Sequence, residues 1–122
     1  MISKSFLTAE QTKIMPEISY NDFLKLDIRV AKILEVEKIP GKSRILKGII
    51  DLGSEKCDVI IGGAEFFEPD EMIGKTVIVV ANLESKKLAG VESNAMLLAA
   101  DVNDKPYWLT VSEDVPIGTK IK

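Results

Sequence analysis

Histidine is missing from all 122 residues, and cysteine occurs once, at Cys57. Without imidazole there is no Ser-His-Asp or Cys-His arrangement, no histidine general base and no histidine metal ligand. A lone thiol can close neither an internal disulfide nor a thiolate metal cage, which fits a reducing compartment. Carboxylates remain available, yet no stretch shows the alternating acidic ligands of a calcium loop. Hydrolysis by a pair of carboxylates meeting in space is the one catalytic route that composition leaves open. The expectation is therefore a non-enzyme with no metal and no cofactor. Aromatic side chains are also scarce: one Trp, two Tyr and four Phe. Phe23, Phe66 and Phe67 are spaced for packing, so a base-stacking platform on the strands is hard to find. No apolar run approaches the roughly 20 residues that cross a bilayer. The N-terminal MISKSFLTAEQTK lacks the apolar core and small-residue cleavage site of a secretory signal. A cytoplasmic chain with no membrane partner is expected.

What is present suits one folded domain. Hydrophobic residues make up 46% of the chain, too many for disorder and enough for one core. Residues 1–17 read as a polar N-terminal arm ending near Pro16, and residues 18–122 as a single domain. Ser19 is placed to cap a short helix reaching Leu26, with Asp22 at the reciprocal position. From Asp27 the period becomes two, with Ile28, Val30, Leu34 and Val36 inward. A bulge at Lys32 and Ile33 keeps the alternation in phase. Further strands are expected at Ile45 to Leu52, Cys57 to Ile61, Thr76 to Leu83 and Ala95 to Ala100, with short ones at Pro106 to Val111 and Gly118 to Ile121. Gly53 to Lys56 forms a hairpin turn, and Glu68 to Met72 opens a helical turn. The pattern is all-β: a five-stranded Greek-key barrel of the OB-fold type with a short helix between strands 3 and 4, an N-terminal helix and a C-terminal β extension. An SH3-like barrel or small sandwich is the main competitor.

The formal net charge is −3, which argues against a general nucleic-acid binder. The distribution says more than the sum. From Lys38 to Gly48 every charge is positive (Lys38, Lys42, Arg44, Lys47), and Lys86 and Lys87 precede the fifth strand. From Glu65 to Glu71 every charge is negative. The two cationic loops fall where a barrel of this class grips nucleic acid. Ser93 and Asn94 stand at the mouth of the apolar run Met96 to Ala100, polar groups at a strand rim beside positive charge. With no stacking platform, a folded RNA recognised through phosphates and shape is the expected ligand. Solvated loop charge is the plainer account of any one lysine, and a strand-end cap that of Ser93. Tyr107, Trp108, Val111, Val115 and Ile117 are apolar for a terminal tail. Such a tail covers either a partner or its own barrel.

The residues carry a family resemblance. They include Phe23-Leu24-Lys25-Leu26-Asp27-Ile28-Arg29-Val30, Leu46-Lys47 and Asp51-Leu52-Gly53, then Gly74-Lys75 and Val79-Val80-Ala81-Asn82-Leu83. Lys87, Gly90-Val91-Glu92-Ser93, Met96-Leu97-Leu98-Ala99-Ala100 and Val115-Pro116-Ile117-Gly118 complete them. From Ile18 onward the chain resembles the tRNA-binding domain of dimeric stand-alone tRNA-binding proteins. The same module ends many methionyl-tRNA synthetases and forms chains described as that enzyme's β subunit. The resemblance implies tRNA binding by shape at the outer corner of the L, with Arg44, Lys47, Asn82, Lys87, Ser93 and Met96 at matching positions; Lys42, Lys86 and Asn94 complete the expected site on charge and position. Asn82 and Met96 enter on the resemblance alone, and for Met96 core packing is the simpler expectation. It also implies a homodimer through the N-terminal helix (Tyr20, Phe23) and the C-terminal strands, and an accessory role beside methionyl-tRNA synthetase. Another branch of the family is described as an export chaperone that binds unfolded polypeptide; a structural adaptor that docks a synthetase is a third possibility. Against the family pattern, Ile61 replaces a serine, Glu65 a lysine, Glu84-Ser85 a Lys-Pro, and Ala95 a glycine. The loss of cations predicts weaker tRNA binding than in basic relatives.

Overall fold

The structure is a computed structural model, which describes residues 14–122. Most of the expected N-terminal arm therefore lies outside the described residues. The chain next forms helix α1 (Tyr20–Leu24), capped by Ser19, whose hydroxyl accepts the Asp22 backbone N–H at 3.0 Å. Asp22 turns to Lys25 instead of closing a reciprocal box (2.9 Å). No residue of α1 is buried.

Strands β1 (Ile28–Lys38), β2 (Ile45–Asp51) and β3 (Lys56–Gly62) form an antiparallel meander, followed by the single-turn helix α2 (Pro69–Met72) and β4 (Thr76–Val80). Beyond β4 come β5 (Lys86–Leu88), β6 (Val91–Ser93), β7 (Met96–Leu97), β8 (Ala99–Val102) and β9 (Lys105–Trp108). The main sheet runs β3-β2-β1-β4-β7 and is antiparallel throughout. β6 and β7 pack back toward β3, so the sheet nearly closes on itself as an OB-like barrel. β1 serves both sides of the closure. Its first half pairs with β4 and its second half with β2.

Val77 and Val79 of β4 and Ala31, Ile33 and Val36 of β1 fill the interior. They pack with Leu46 and Ile50 of β2 and with Val59 and Ile61 of β3. α2 packs on β1 and drives Met72 into this core, where it is fully buried. That burial stabilises the fold by about 2 kcal/mol.

Several boundaries differ from the sequence expectation, each for a local reason. The register shift in β1 falls between Ile33 and Glu35, so Leu34 is the extra residue and Ile33 points inward. Val30 and Ala31 are consecutive and both buried. Val30 lies outside the interior, paired with Ile78, so this half of the strand is covered on two faces and shows no simple alternation. β4 stops at Val80, not Leu83, because Asn82 leaves the ladder. Its amide oxygen accepts the Asp27 N–H (2.9 Å) and its amide nitrogen donates to the Lys25 carbonyl (2.7 Å). The expected fifth strand divides into β7 and β8, and β8 pairs with β9 around a turn with Asn103 and Asp104 at positive φ. The expected loop at Lys86 is the β5–β6 hairpin, turned by Ala89 and Gly90, both also at positive φ.

Residues 118–121 form a strap, not a strand, along the start of β1. Gly118 donates to the Val30 carbonyl, Val30 to Thr119, and Ile121 to Ile28, at 2.7–2.9 Å, with an isolated bridge between Arg29 and Lys120. The strap comes in very close to the β2–β3 turn. A Cβ on Gly53 would meet the Ile117 carbonyl at 2.7 Å, and one on Gly118 would meet the Leu52 carbonyl at 2.8 Å. Both glycines have φ near +90°, so each position excludes a side chain twice over.

Candidate nucleic-acid interface

The outer surface of the barrel carries three open clefts that share walls. The first, about 260 Å³, is lined by Ile60, Leu83, Glu84, Lys86, Leu88, Ser93, Asn94, Ala95 and Met96. Ile60 and Met96 continue into a second of about 390 Å³ that runs past Gly62 to Asp101, Asp104 and Trp108. Asp104 leads into a third, between Arg44, Glu65, Phe66 and Asn103. The β5–β6 hairpin, β7 and the outer side of β3 build the first cleft; the β8–β9 turn and the residues after β3 build the last.

The expected site residues divide accordingly. Lys86, Ser93, Asn94 and Met96 come together in the first cleft. Met96 is 46% exposed, so the simpler expectation of core packing is wrong for it. Its neighbour Leu97 takes the interior position, because successive strand residues alternate. Lys47 stands across from Ile60 in the β2–β3 register and so flanks this cleft on the same outer face. Arg44 sits at the far end, in the third cleft. Lys42 lies exposed in the turn after β1 and lines none of the three. Lys87 points the other way. In the hairpin register Lys86 faces Ser93 while Lys87 faces Glu92, so Lys87 is on the side turned from the cleft.

Hydrogen bonding distinguishes these residues further. The Ser93 hydroxyl donates to the Ala95 carbonyl (2.9 Å) and accepts the Ala95 N–H (3.3 Å). It therefore caps the turn between β6 and β7, as the plainer reading of this serine expects. The Asn94 side chain has no hydrogen-bond partner among the described residues and is exposed. Asn82 spends its amide on the backbone of residues 25 and 27, which makes it a clamp between α1 and the end of β4.

Carboxylates stand beside three of these cations. Arg44 meets Glu65 at 3.8 Å, Lys38 meets Glu68 at 3.5 Å, and Lys47 meets Glu37 at 4.0 Å. Among the described residues Lys42, Lys86 and Lys87 have no ion pair. The first cleft thus has one cation, Lys86, with Glu84, and the face is more acidic toward Arg44, where Asp101, Asp104 and Glu65 also lie. Sequence reasoning placed Glu65 and Glu68 in a separate acidic segment. Their contact with the cationic loop comes from the fold, which lays the residues after β3 against the loop between β1 and β2. Ile60, Leu83 and Leu88, which give the first cleft its apolar wall, carry no signal in sequence beyond ordinary strand alternation.

The expected dimer residues show a similar split. Tyr20 (72%) and Tyr107 (51%) are exposed, as are Ile18, Leu24 and Leu26 around α1. Phe23, Val111, Val115 and Ile117 are half-buried. Trp108 packs against its own barrel beside Phe67, ring centroids 6.1 Å apart, and its indole nitrogen is buried without a hydrogen-bond partner among the described residues.

No group of three or more acidic, cysteine or histidine side chains is placed to hold a metal among the described residues. No helix there is long and apolar enough to cross a membrane.

Residues 28–120 match the family model of the tRNA binding domain. The chain is similar to a methionine–tRNA ligase of Thermotoga maritima, 45% identical over 115 residues that make up 94% of this chain and 18% of that protein. It thus spans less than a fifth of the length of such curated relatives. Among solved structures, the MetRS related protein from Pyrococcus horikoshii is 36% identical with a TM-score of 0.82, covering 88% of this chain and all of that one. The CsaA chaperone protein from Picrophilus torridus is 32% identical with a TM-score of 0.77, covering 87% of this chain and all of that one.

Proposed function

The chain belongs to the tRNA-binding domain family, and from that premise we propose that it is a non-catalytic module that binds folded tRNA by shape. The observation that supports this best is the first cleft, where Lys86, Asn94 and Met96 line one surface flanked by Lys47. Lysine ammonium groups neutralise phosphates. The unpartnered Asn94 amide donates to a phosphate or ribose oxygen. The apolar wall takes the face of a sugar or base. Ser93 acts indirectly, by holding the turn that presents Asn94. Arg44 and Lys42 extend the cationic surface toward the third cleft and the turn after β1.

The same reading gives the molecule a place beside methionyl-tRNA synthetase in the cytoplasm. An accessory tRNA site, linked to the enzyme or assembled with it, raises the local tRNA concentration without new catalytic groups. Pairing of two copies through α1 and the C-terminal tail doubles the valence. The exposed apolar residues around α1 support that pairing.

The test follows from the hairpin alternation. Lys86→Gln should weaken tRNA binding about two- to fivefold and flatten the salt dependence by about one unit of slope. Lys87→Gln should do markedly less, although the two residues are adjacent. Equal losses, or binding that ignores salt, would refute this placement.

Unfolded polypeptide is a second ligand class to weigh, because the fold is shared with the CsaA chaperone protein and the first cleft has exposed apolar walls at Leu83, Leu88 and Met96. Titration with deacylated tRNA at two salt concentrations, then with an unfolded polypeptide, discriminates. Indifference to tRNA with firm peptide binding favours the chaperone reading. A pull-down of synthetase with and without residues 1–26 tests the adaptor role.

A further inference from the structure

Two of the cations on the proposed RNA-binding surface, Arg44 and Lys47, and Lys38 at the end of β1 beside them already lie against a carboxylate. Glu65 and Glu68, between β3 and α2, reach Arg44 (3.8 Å) and Lys38 (3.5 Å). Glu37 reaches Lys47 (4.0 Å) from the neighbouring strand β1. All three carboxylates are substantially exposed, so core packing does not account for them. Exposed pairs of this kind contribute little to folding. Their geometry nevertheless matters to a polyanion, because a carboxylate within 4 Å of a lysine or arginine offsets its charge and repels a phosphate approaching the same group. We propose that Glu37, Glu65 and Glu68 are internal competitors for phosphate, masking Lys47, Arg44 and Lys38 and holding RNA affinity below what those cations alone would give. The proposal rests on the tRNA-binding reading and adds how that surface sets its strength. Lys86, which has no such partner among the described residues, is then the first point of capture. The masked cations add less, because each carries its carboxylate's repulsion with it, and the weaker hold suits an accessory module that must hand its tRNA on.

The experiment compares three full-length proteins: wild type, E37Q/E65Q/E68Q, and a control with three exposed carboxylates lining none of the clefts removed, E17Q/E113Q/D114N. Each is titrated with tRNA and, separately, with linear polyphosphate, at low and moderate salt. The expected result is an affinity gain of about two- to fivefold per masked charge for both probes, with a steeper salt slope, and a clearly smaller gain for the control. In an R44Q background, E65Q alone should gain clearly less than it does with Arg44 present, because there is no cation left to unmask. Equal gains in the control triple, or an undiminished E65Q gain in the R44Q background, would overturn the proposal and reduce the effect to overall charge. An unchanged response to polyphosphate would overturn it as well. If polyphosphate binding rises as expected while no protein binds tRNA at low salt, the masking stands and the tRNA reading falls.

Discussion

Asp27 and Arg29 hold one another in a two-toothed pair, 2.8 and 2.9 Å, each about a fifth exposed. Arg29 also reaches the Leu52 carbonyl and the Ser54 hydroxyl, so one side chain joins β1 to the β2–β3 turn. The hydrogen bonds from Arg29 hold the Asp27 carboxyl below the usual carboxylate range, against the opposing effect of burial. Because the folded pKa lies below the unfolded value of about 3.9, the pair's contribution is complete above that value. It is lost as pH falls through the folded pKa. Asp27→Asn should therefore cost about 1–2 kcal/mol at pH 7 and progressively less as pH falls below the ordinary carboxylate range, as urea midpoints at neutral and acid pH would show. Cys57 illustrates the opposite direction. Burial, then Glu55 and Asp58, push its thiol up, so it stays protonated at neutral pH and should react with a thiol reagent more slowly than free cysteine. Residue identity announced Ser19 as a cap. It could not announce that Asn82 is a clamp, since a family position is equally met by an amide facing RNA or one facing backbone. Asn82→Ala should lower the melting temperature, at a cost of about 1–2 kcal/mol, because two backbone groups lose their partner.

The first three strands and the short helix after them were legible as elements, because alternation, Pro-Gly punctuation and an acidic first turn report local forces. The segment after β4 was not. A continuous apolar run from Met96 to Ala100 reads as one strand, yet β7 pairs with β4 while β8 turns away to β9. Which edge a residue reaches is decided by the barrel's curvature, and no window of sequence encodes that. The β5–β6 hairpin was hidden for a related reason: its Ala-Gly turn carries a weaker signal than Asn-Gly. Its consequence for binding is large, because a hairpin sorts neighbouring lysines to opposite faces where a loop would not. At this scale the contact between the Gly53 turn and the Gly118 strap is the most exposed to test. Gly118→Ala should destabilise by about 2 kcal/mol or more, from its φ and the approach of the Leu52 carbonyl. Denaturant unfolding measures it, and a neutral result would mean the strap is not seated there.

The whole molecule has a filled barrel, a rim of clefts on its outer face, and an apolar stretch around α1 that stays exposed among the described residues. Replacing Ile18 and Leu24 with Glu should leave the barrel folded, since neither belongs to the core. If two copies meet there, those changes should turn a dimer into a monomer by light scattering at micromolar concentration; an already monomeric parent would refute the pairing. Net charge, read alone, pointed away from nucleic acid. The fold redistributes it, with Lys86 left unpaired among the described residues and other cations set against carboxylates. The strap has a last implication, for synthesis. β1 leaves the ribosome before residues 118–121, which fasten its edge. A nascent chain therefore carries an open strand edge until those residues emerge, and final locking awaits them.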